Sequence, residues 1–124
     1  IESTNVTVIG NGISAGRPSA ALLQNAGATV TVCNSKTKNL KSHTIDADII
    51  IASTGKEKIL TADMVKEGAI VIDAGVSIIK GKIIGDVDFG TVSKKAAYIT
   101  QVPGGVGPVT SASLLENVFS LATI

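Results

Sequence analysis

The chain's 124 residues carry eleven lysines and arginines against ten aspartates and glutamates, a net charge of +1, which leaves nucleic-acid binding little electrostatic support. With 44% apolar residues, 13 glycines and 2% aromatics, the composition speaks against disorder and suits short strands and helices joined by tight turns. No apolar run reaches the roughly 18 residues that cross a bilayer, and a single cysteine, Cys33, excludes an internal disulfide, so a soluble cytoplasmic protein without membrane association is expected.

Val6, Val8 and Ile9 are apolar and β-branched, as a buried parallel strand requires, and glycines follow at once at Gly10, Gly12 and Gly16. Pro18 fits only a first helical turn, where its missing N–H is not needed; Ala20, Ala21, Leu22, Leu23 and Ala26 continue the helix to a stop at Gly27. A strand, a glycine loop and a helix start in that order can cradle a pyrophosphate. Bare backbone approaches the ligand, and free N–H groups with the positive helix end hold its charge. The loop is one residue longer than Gly-x-Gly-x-x-Gly, and on its own it describes a tight ligand-free turn equally well.

Residues 29–33 (Thr-Val-Thr-Val-Cys) form the second predicted strand, and the polar residues 34–42 lead into a short helix or irregular crossover. Residues 48–52, with Ile49, Ile50 and Ile51 in a row, read as a central strand ending in the turn Ser53-Thr54-Gly55-Lys56. Thr61 can cap a short helix through Lys66 that Gly68 ends, and residues 69–73 are the fourth strand. Residues 76–84 read as an antiparallel hairpin turning at Gly81. Asp88 then opens a short helix through Lys95, residues 97–100 are a fifth strand, and residues 101–108 (Gln-Val-Pro-Gly-Gly-Val-Gly-Pro) are a second glycine-proline loop. A closing helix over residues 110–121 has Ala112, Leu115, Val118, Phe119 and Ala122 on one side.

Strands alternating with short helices predict an α/β fold, a Rossmann-like doubly wound parallel sheet of about five strands with an inserted β-hairpin. Ligands of such sheets sit beyond the carboxyl ends of the strands. Here those ends are loops rich in Gly, Ser, Thr or Asn, as a nucleotide crevice needs. The chain is short for a complete dehydrogenase and begins at Ile1 rather than Met, so residues 1–124 are expected to be a single NAD(P)-binding domain cut from a two-domain enzyme. A dinucleotide fold selective for NAD places Asp or Glu at the end of the second strand; this chain has Cys33-Asn34-Ser35-Lys36, so NADP is expected over NAD.

Taken together, these stretches resemble the cofactor-binding, carboxyl-terminal domain of the bifunctional methylenetetrahydrofolate dehydrogenase/methenyltetrahydrofolate cyclohydrolase family. The resemblance spans nearly the whole chain. It rests on Val8-Ile9-Gly10 with Gly16-Arg17-Pro18, residues 28–37, residues 66–73, Gly85-Asp86-Val87-Asp88-Phe89, and Tyr98-Ile99-Thr100 with the specific run over residues 102–108. It implies oxidation of 5,10-methylenetetrahydrofolate by hydride transfer to NADP, then hydrolysis of the methenyl product to 10-formyltetrahydrofolate. It implies contacts to the cofactor from Gly10, Asn11, Gly12, Ser35, Lys36, Thr54, Gly55, Val76, Gly105 and Gly107. The family's catalytic Tyr-x-x-x-Lys pair belongs to an amino-terminal domain. Tyr98 is the only tyrosine and Val102 stands four residues on, so no catalytic residue is expected in this chain.

The sequence departs from the family pattern at Gly10-Asn11-Gly12, where a basic or small residue and a serine usually follow the first glycine. A weaker phosphate grip is the expected consequence there; it departs also at Ser77-Ile78, at Gly55-Lys56-Glu57 and at Gln101, all on the ligand side, which leaves the parent enzyme's catalytic competence less secure than its fold. His43 reads as a solvated surface residue, Cys33 as a small apolar filler, and Asp73, Asp86 and Asp88 show no metal-ligand spacing, Asp88 serving as a helix cap. The hairpin's β-branched edges suggest a homodimer built through it. Two other readings stay open: a stand-alone dinucleotide-binding module, and the cofactor domain of a shikimate-type dehydrogenase, which lacks the run over residues 102–108.

Overall fold

The structure is a computed structural model that describes residues 1–124. Five parallel strands, β1 (Asn5–Ile9), β2 (Thr29–Cys33), β3 (Ile49–Ala52), β4 (Ile70–Asp73) and β7 (Tyr98–Ile99), make one sheet in the order β2-β1-β3-β4-β7. β5 (Ser77–Ile79) and β6 (Lys82–Ile84) pair antiparallel as the separate hairpin. Its two-residue loop needs positive φ at both positions, and Lys80 (φ 50°) joins Gly81 (φ 75°) in supplying it.

Side-chain alternation along the strands divides the core into two layers. Val6, Val8 and Ile51 pack with Ala20 of α1 (Gly16–Asn25) on one face. On the other, Ile9, Ile50, Ala52 and Val71 join Leu60, Val65, Val87 and Val92. Fully burying a side chain such as Ile50 contributes roughly 1.5–3 kcal/mol. Thr7, buried in β1, satisfies its hydroxyl on the carbonyl of His43, which follows Leu40 in α2 (Leu40–Thr44); the His43 side chain lies on the surface.

Three predicted helices differ in extent from their sequence-based bounds. The helix expected from Thr61 through Lys66 contracts to a 3-10 turn, Ala62–Met64, because Val65 turns extended (φ −114°, ψ 135°) and enters the core. The Thr61 hydroxyl donates to Asp63 instead of capping the helix. The helix opened by Asp88 shortens to α3 (Phe89–Val92), and the Asp88 carboxylate accepts from the Thr91 hydroxyl at 2.8 Å rather than from an N–H. The last helix, α4 (Val106–Ala122), begins four residues early because Pro108 is at home in a first turn. No residue of α4 is buried, so its expected apolar side, including Leu115, Val118 and Phe119, lies open. No helix is long and apolar enough to cross a membrane.

Candidate dinucleotide site at the carboxyl rim

The chain reverses direction across the sheet between β1 and β3, the neighbours that flank the switch point, and a cleft of about 470 Å³ lies on the rim there. Two glycines bring its walls together. A Cβ on Gly10, whose φ is 116°, would strike the carbonyl of Ser53 at the end of β3, and one on Gly16 would strike the carbonyl of Gly10. Gly12 differs: nothing in the protein comes within 4 Å of where its side chain would stand. The fold does not use that space.

Backbone donors are left over in the same place. Gly10 N–H donates to the Cys33 carbonyl at 2.9 Å and Arg17 N–H to the Gly12 carbonyl at 3.0 Å, whereas the N–H groups of residues 11–15 have no acceptor in the protein. α1 has no side-chain cap either. Unused donors beside a helix start are what an anionic phosphate requires.

The β2 end closes as a compact turn. Asn34 N–H donates to the Thr37 hydroxyl at 2.8 Å, and Lys36 N–H to Asn34 Oδ1 at 2.9 Å. This aims Ser35 and Thr37 into the cleft and leaves Lys36 outside it. Burial pushes the Cys33 thiol up, the Thr37 hydroxyl opposing it, so Cys33 is an inert filler at the strand end. No carboxylate lines the cleft, and its one charged wall residue is Lys56.

The other half of the rim is built on two buried acids. Asp73 Oδ1 accepts from the N–H groups of Gly75 and Asp86, both at 3.0 Å, and Oδ2 from Val87 N–H at 2.9 Å. Asp86 Oδ2 accepts from Thr54 N–H, from the Thr54 hydroxyl at 2.9 Å and from Gly55 N–H at 3.1 Å. Asp86 Oδ1 has no partner. Gly75 and Gly85 make the room, since a Cβ on either would collide with the Asp86 or the Asp73 carboxylate. The pair therefore staples the ends of β3 and β4 to the exit of the hairpin.

A second cleft, of about 460 Å³, opens between this stapled region and the glycine-proline loop, in which the Val102–Pro103 peptide is cis. Its wall is largely apolar and includes Val76, Ile83, Val102 and Gly105. Gly105 is required by the fold, for a Cβ there would strike the Gln101 carbonyl, whereas Gly107 has open space around it.

Of the sequence-derived positions, Gly10, Asn11, Gly12, Ser35 and Thr54 lie along the first cleft and Val76, Gly105 and Gly107 along the second. Gly107 reaches it from the first turn of α4 rather than from a loop. Lys36 and Gly55 line neither cleft. Sequence reasoning missed Lys56 and both braces; the one available signal for the braces was an acid set against glycine at Asp73-Ala74-Gly75 and Gly85-Asp86.

The family described as tetrahydrofolate dehydrogenase/cyclohydrolase, NAD(P)-binding domain, matches residues 1–124. Among curated relatives, the bifunctional protein FolD of Methanosphaerula palustris is 56% identical over 115 residues, which cover 93% of this chain and 41% of that protein. The crystal structure of the bifunctional FolD from Campylobacter jejuni superposes with a TM-score of 0.92 at 56% identity, covering 94% of this chain and 42% of that one. A Trypanosoma brucei methylenetetrahydrofolate dehydrogenase-cyclohydrolase, solved with NADP cofactor and an inhibitor, gives 0.90 at 41% identity, with 96% and 43% covered. The chain thus spans about two fifths of the length of these relatives. The shikimate-type reading falls with this match, and the chain belongs to the tetrahydrofolate dehydrogenase/cyclohydrolase family, whose NAD(P)-binding domain it matches from end to end.

Proposed function

We propose that residues 1–124 are the NADP-binding domain of a two-domain enzyme that oxidises 5,10-methylenetetrahydrofolate and hydrolyses the methenyl product to 10-formyltetrahydrofolate. The observation that carries this reading is the run of acceptor-less N–H groups over residues 11–15, facing a cleft with no carboxylate at the switch point of the sheet. The residues present suit a phosphorylated dinucleotide. Gly12 leaves room for close approach, Ser35 and Thr37 offer neutral hydroxyls at the β2 end, and Lys56 adds a cation. The apolar second cleft, beside Val76 and Gly105, suits the nicotinamide ring. When bound, NADP supplies the hydride acceptor.

The chain's own contribution is orientation. Asp73 and Asp86 fix the loops around Thr54 and Gly75 so that one ligand can span both clefts, which converts a loose encounter into a positioned one. Proton transfer and folate binding fall to the remainder of the protein. The uncovered apolar side of α4 is the surface for that remainder to pack on. The exposed hairpin residue Ile78 (75%), which lines neither cleft, marks the face through which two copies pair. The buried single thiol of Cys33 suits the cytoplasm.

Titration of NADP and NAD into the full-length protein, with assays of both reactions, tests the reading. NADP binding tighter than NAD with both activities supports it; absence of dinucleotide binding overturns it. Residues 1–124 produced alone should bind NADP and turn over nothing, and turnover by them would contradict the placing of catalysis elsewhere. A clean monomer by light scattering would remove the dimer.

A further inference from the structure

We propose that the second cleft selects the oxidised, positively charged nicotinamide ring over the reduced one through the buried carboxylates of Asp73 and Asp86, a proposal that rests on the dinucleotide-binding reading above. The two forms of the ring differ by one charge. The oxidised ring is a pyridinium cation, and the hydride that it accepts leaves a neutral dihydropyridine. An apolar cleft takes up the neutral ring without penalty, whereas a cation placed there needs an opposite charge nearby.

Asp73 supplies that charge in the wall itself. It is the only ionisable residue that lines the second cleft, so no lysine or arginine joins it there. Asp86 stands directly behind. A Cβ on Gly75, another wall residue, would strike the Asp86 carboxylate, so Oδ1 lies against the Gly75 backbone with no side chain between them. That oxygen is buried and has no hydrogen-bond partner. Both acids accept only from N–H and hydroxyl groups. Neither belongs to an ion pair, since the two in the chain join Lys41 to Asp63 and Lys66 to Asp48. Two buried negative charges without a cation, at and behind a largely apolar wall, act on the cleft through little screening. The first cleft has the opposite sign, with Lys56 its one charged wall residue. The rim thus matches the charge order of oxidised NADP, anionic at the phosphates and cationic at the ring. Hydride transfer cancels the ring's charge, and the reduced cofactor is then held less tightly.

The test is isothermal titration of oxidised NADP, of NADPH and of 2′-phospho-ADP-ribose, which lacks the ring, into the full-length protein and its D86N variant. The amide oxygen of the variant can still accept from Thr54 and Gly55, and the charge is gone. The unsubstituted protein should bind oxidised NADP about tenfold tighter than NADPH. D86N should weaken oxidised NADP about 3- to 10-fold while NADPH and 2′-phospho-ADP-ribose stay within about twofold. Equal weakening of all three would reduce Asp86 to a brace and overturn the proposal, as would unchanged binding of oxidised NADP. Should D86N fail to fold, the unsubstituted protein decides: NADPH bound as tightly as oxidised NADP, or more tightly, overturns the proposal. If none of the three binds, the broader dinucleotide reading fails; if 2′-phospho-ADP-ribose binds and the preference for the oxidised ring is absent, only the charge selection fails.

Discussion

The two halves of the carboxyl rim are built by opposite means. Over β1, β2 and β3 the walls meet through missing side chains, with Gly10 against Ser53 and Gly16 against Gly10, and backbone donors are left without acceptors. Over β4 and the hairpin, two buried carboxylates consume backbone donors, and glycine serves only to admit them. The contrast separates stability from binding. Donors that the protein satisfies hold the rim together, and donors that it leaves free are available to a ligand.

Substitutions should respect that division. The largest effect is expected at the braces. Asp73→Ala strands three buried N–H groups and should cost about 3 kcal/mol or more in urea unfolding, since each unsatisfied buried donor costs roughly 1–3 kcal/mol. A loss below about 1 kcal/mol would show that the second half of the rim does not depend on its carboxylates. Asp86→Asn should cost less, about 1–2 kcal/mol, because an amide oxygen can still face Thr54 and Gly55 while the NH₂ replaces the unpartnered Oδ1.

A glycine pair sharpens the comparison within the first half. Gly10→Ala combines a φ of 116° with a backbone collision and should destabilise by about 2–3 kcal/mol. Gly12→Ala meets no protein atom and should leave stability within about 0.5 kcal/mol, yet weaken NADP about tenfold by blocking close approach. Lys56→Ala should leave the fold intact, weaken NADP several-fold and flatten the salt dependence of binding, as removal of a screened cation does.

The smallest effect is expected far from the rim, at Asp48. The Lys66 ammonium and then the Asn5 N–H hold its carboxyl below the usual carboxylate range. A depressed folded-state value means that the contribution is present above the unfolded carboxylate range and is lost as pH falls through the folded value. Asp48→Asn should lower the urea midpoint slightly at neutral pH and not at all in strong acid. An effect surviving in strong acid would exclude the charge as its source.

Much of this arrangement was legible in the residues. The three central strands announce themselves in Val6-Thr7-Val8-Ile9, Ile49-Ile50-Ile51 and Ile70-Val71-Ile72, because strands covered on both faces need β-branched side chains whatever surrounds them. The glycine loop and the hairpin turn were legible for a similar local reason. Helix extents were not. Nothing near Val65 shows that Leu60 and Val92 will draw it into the core and end the helix, and nothing near Leu115 shows that its helix finds no cover within residues 1–124. The position of charge was less legible: the bond from Lys36 N–H to Asn34 Oδ1 closes a turn with Lys36 beside the cleft rather than in its wall, while Lys56, brought there by the β1–β3 pairing, lines it.

Amide hydrogen exchange on the full-length protein, with and without NADP, tests the central claim most directly. The account predicts ligand-induced protection at the free N–H groups of residues 11–15, with weaker protection at Val76 and Gly105, and no change at the already bonded amides of Asp86 and Val87. Protection confined to the amino-terminal edge of the sheet, or saturating NADP binding with residues 11–15 still exchanging freely, would contradict it.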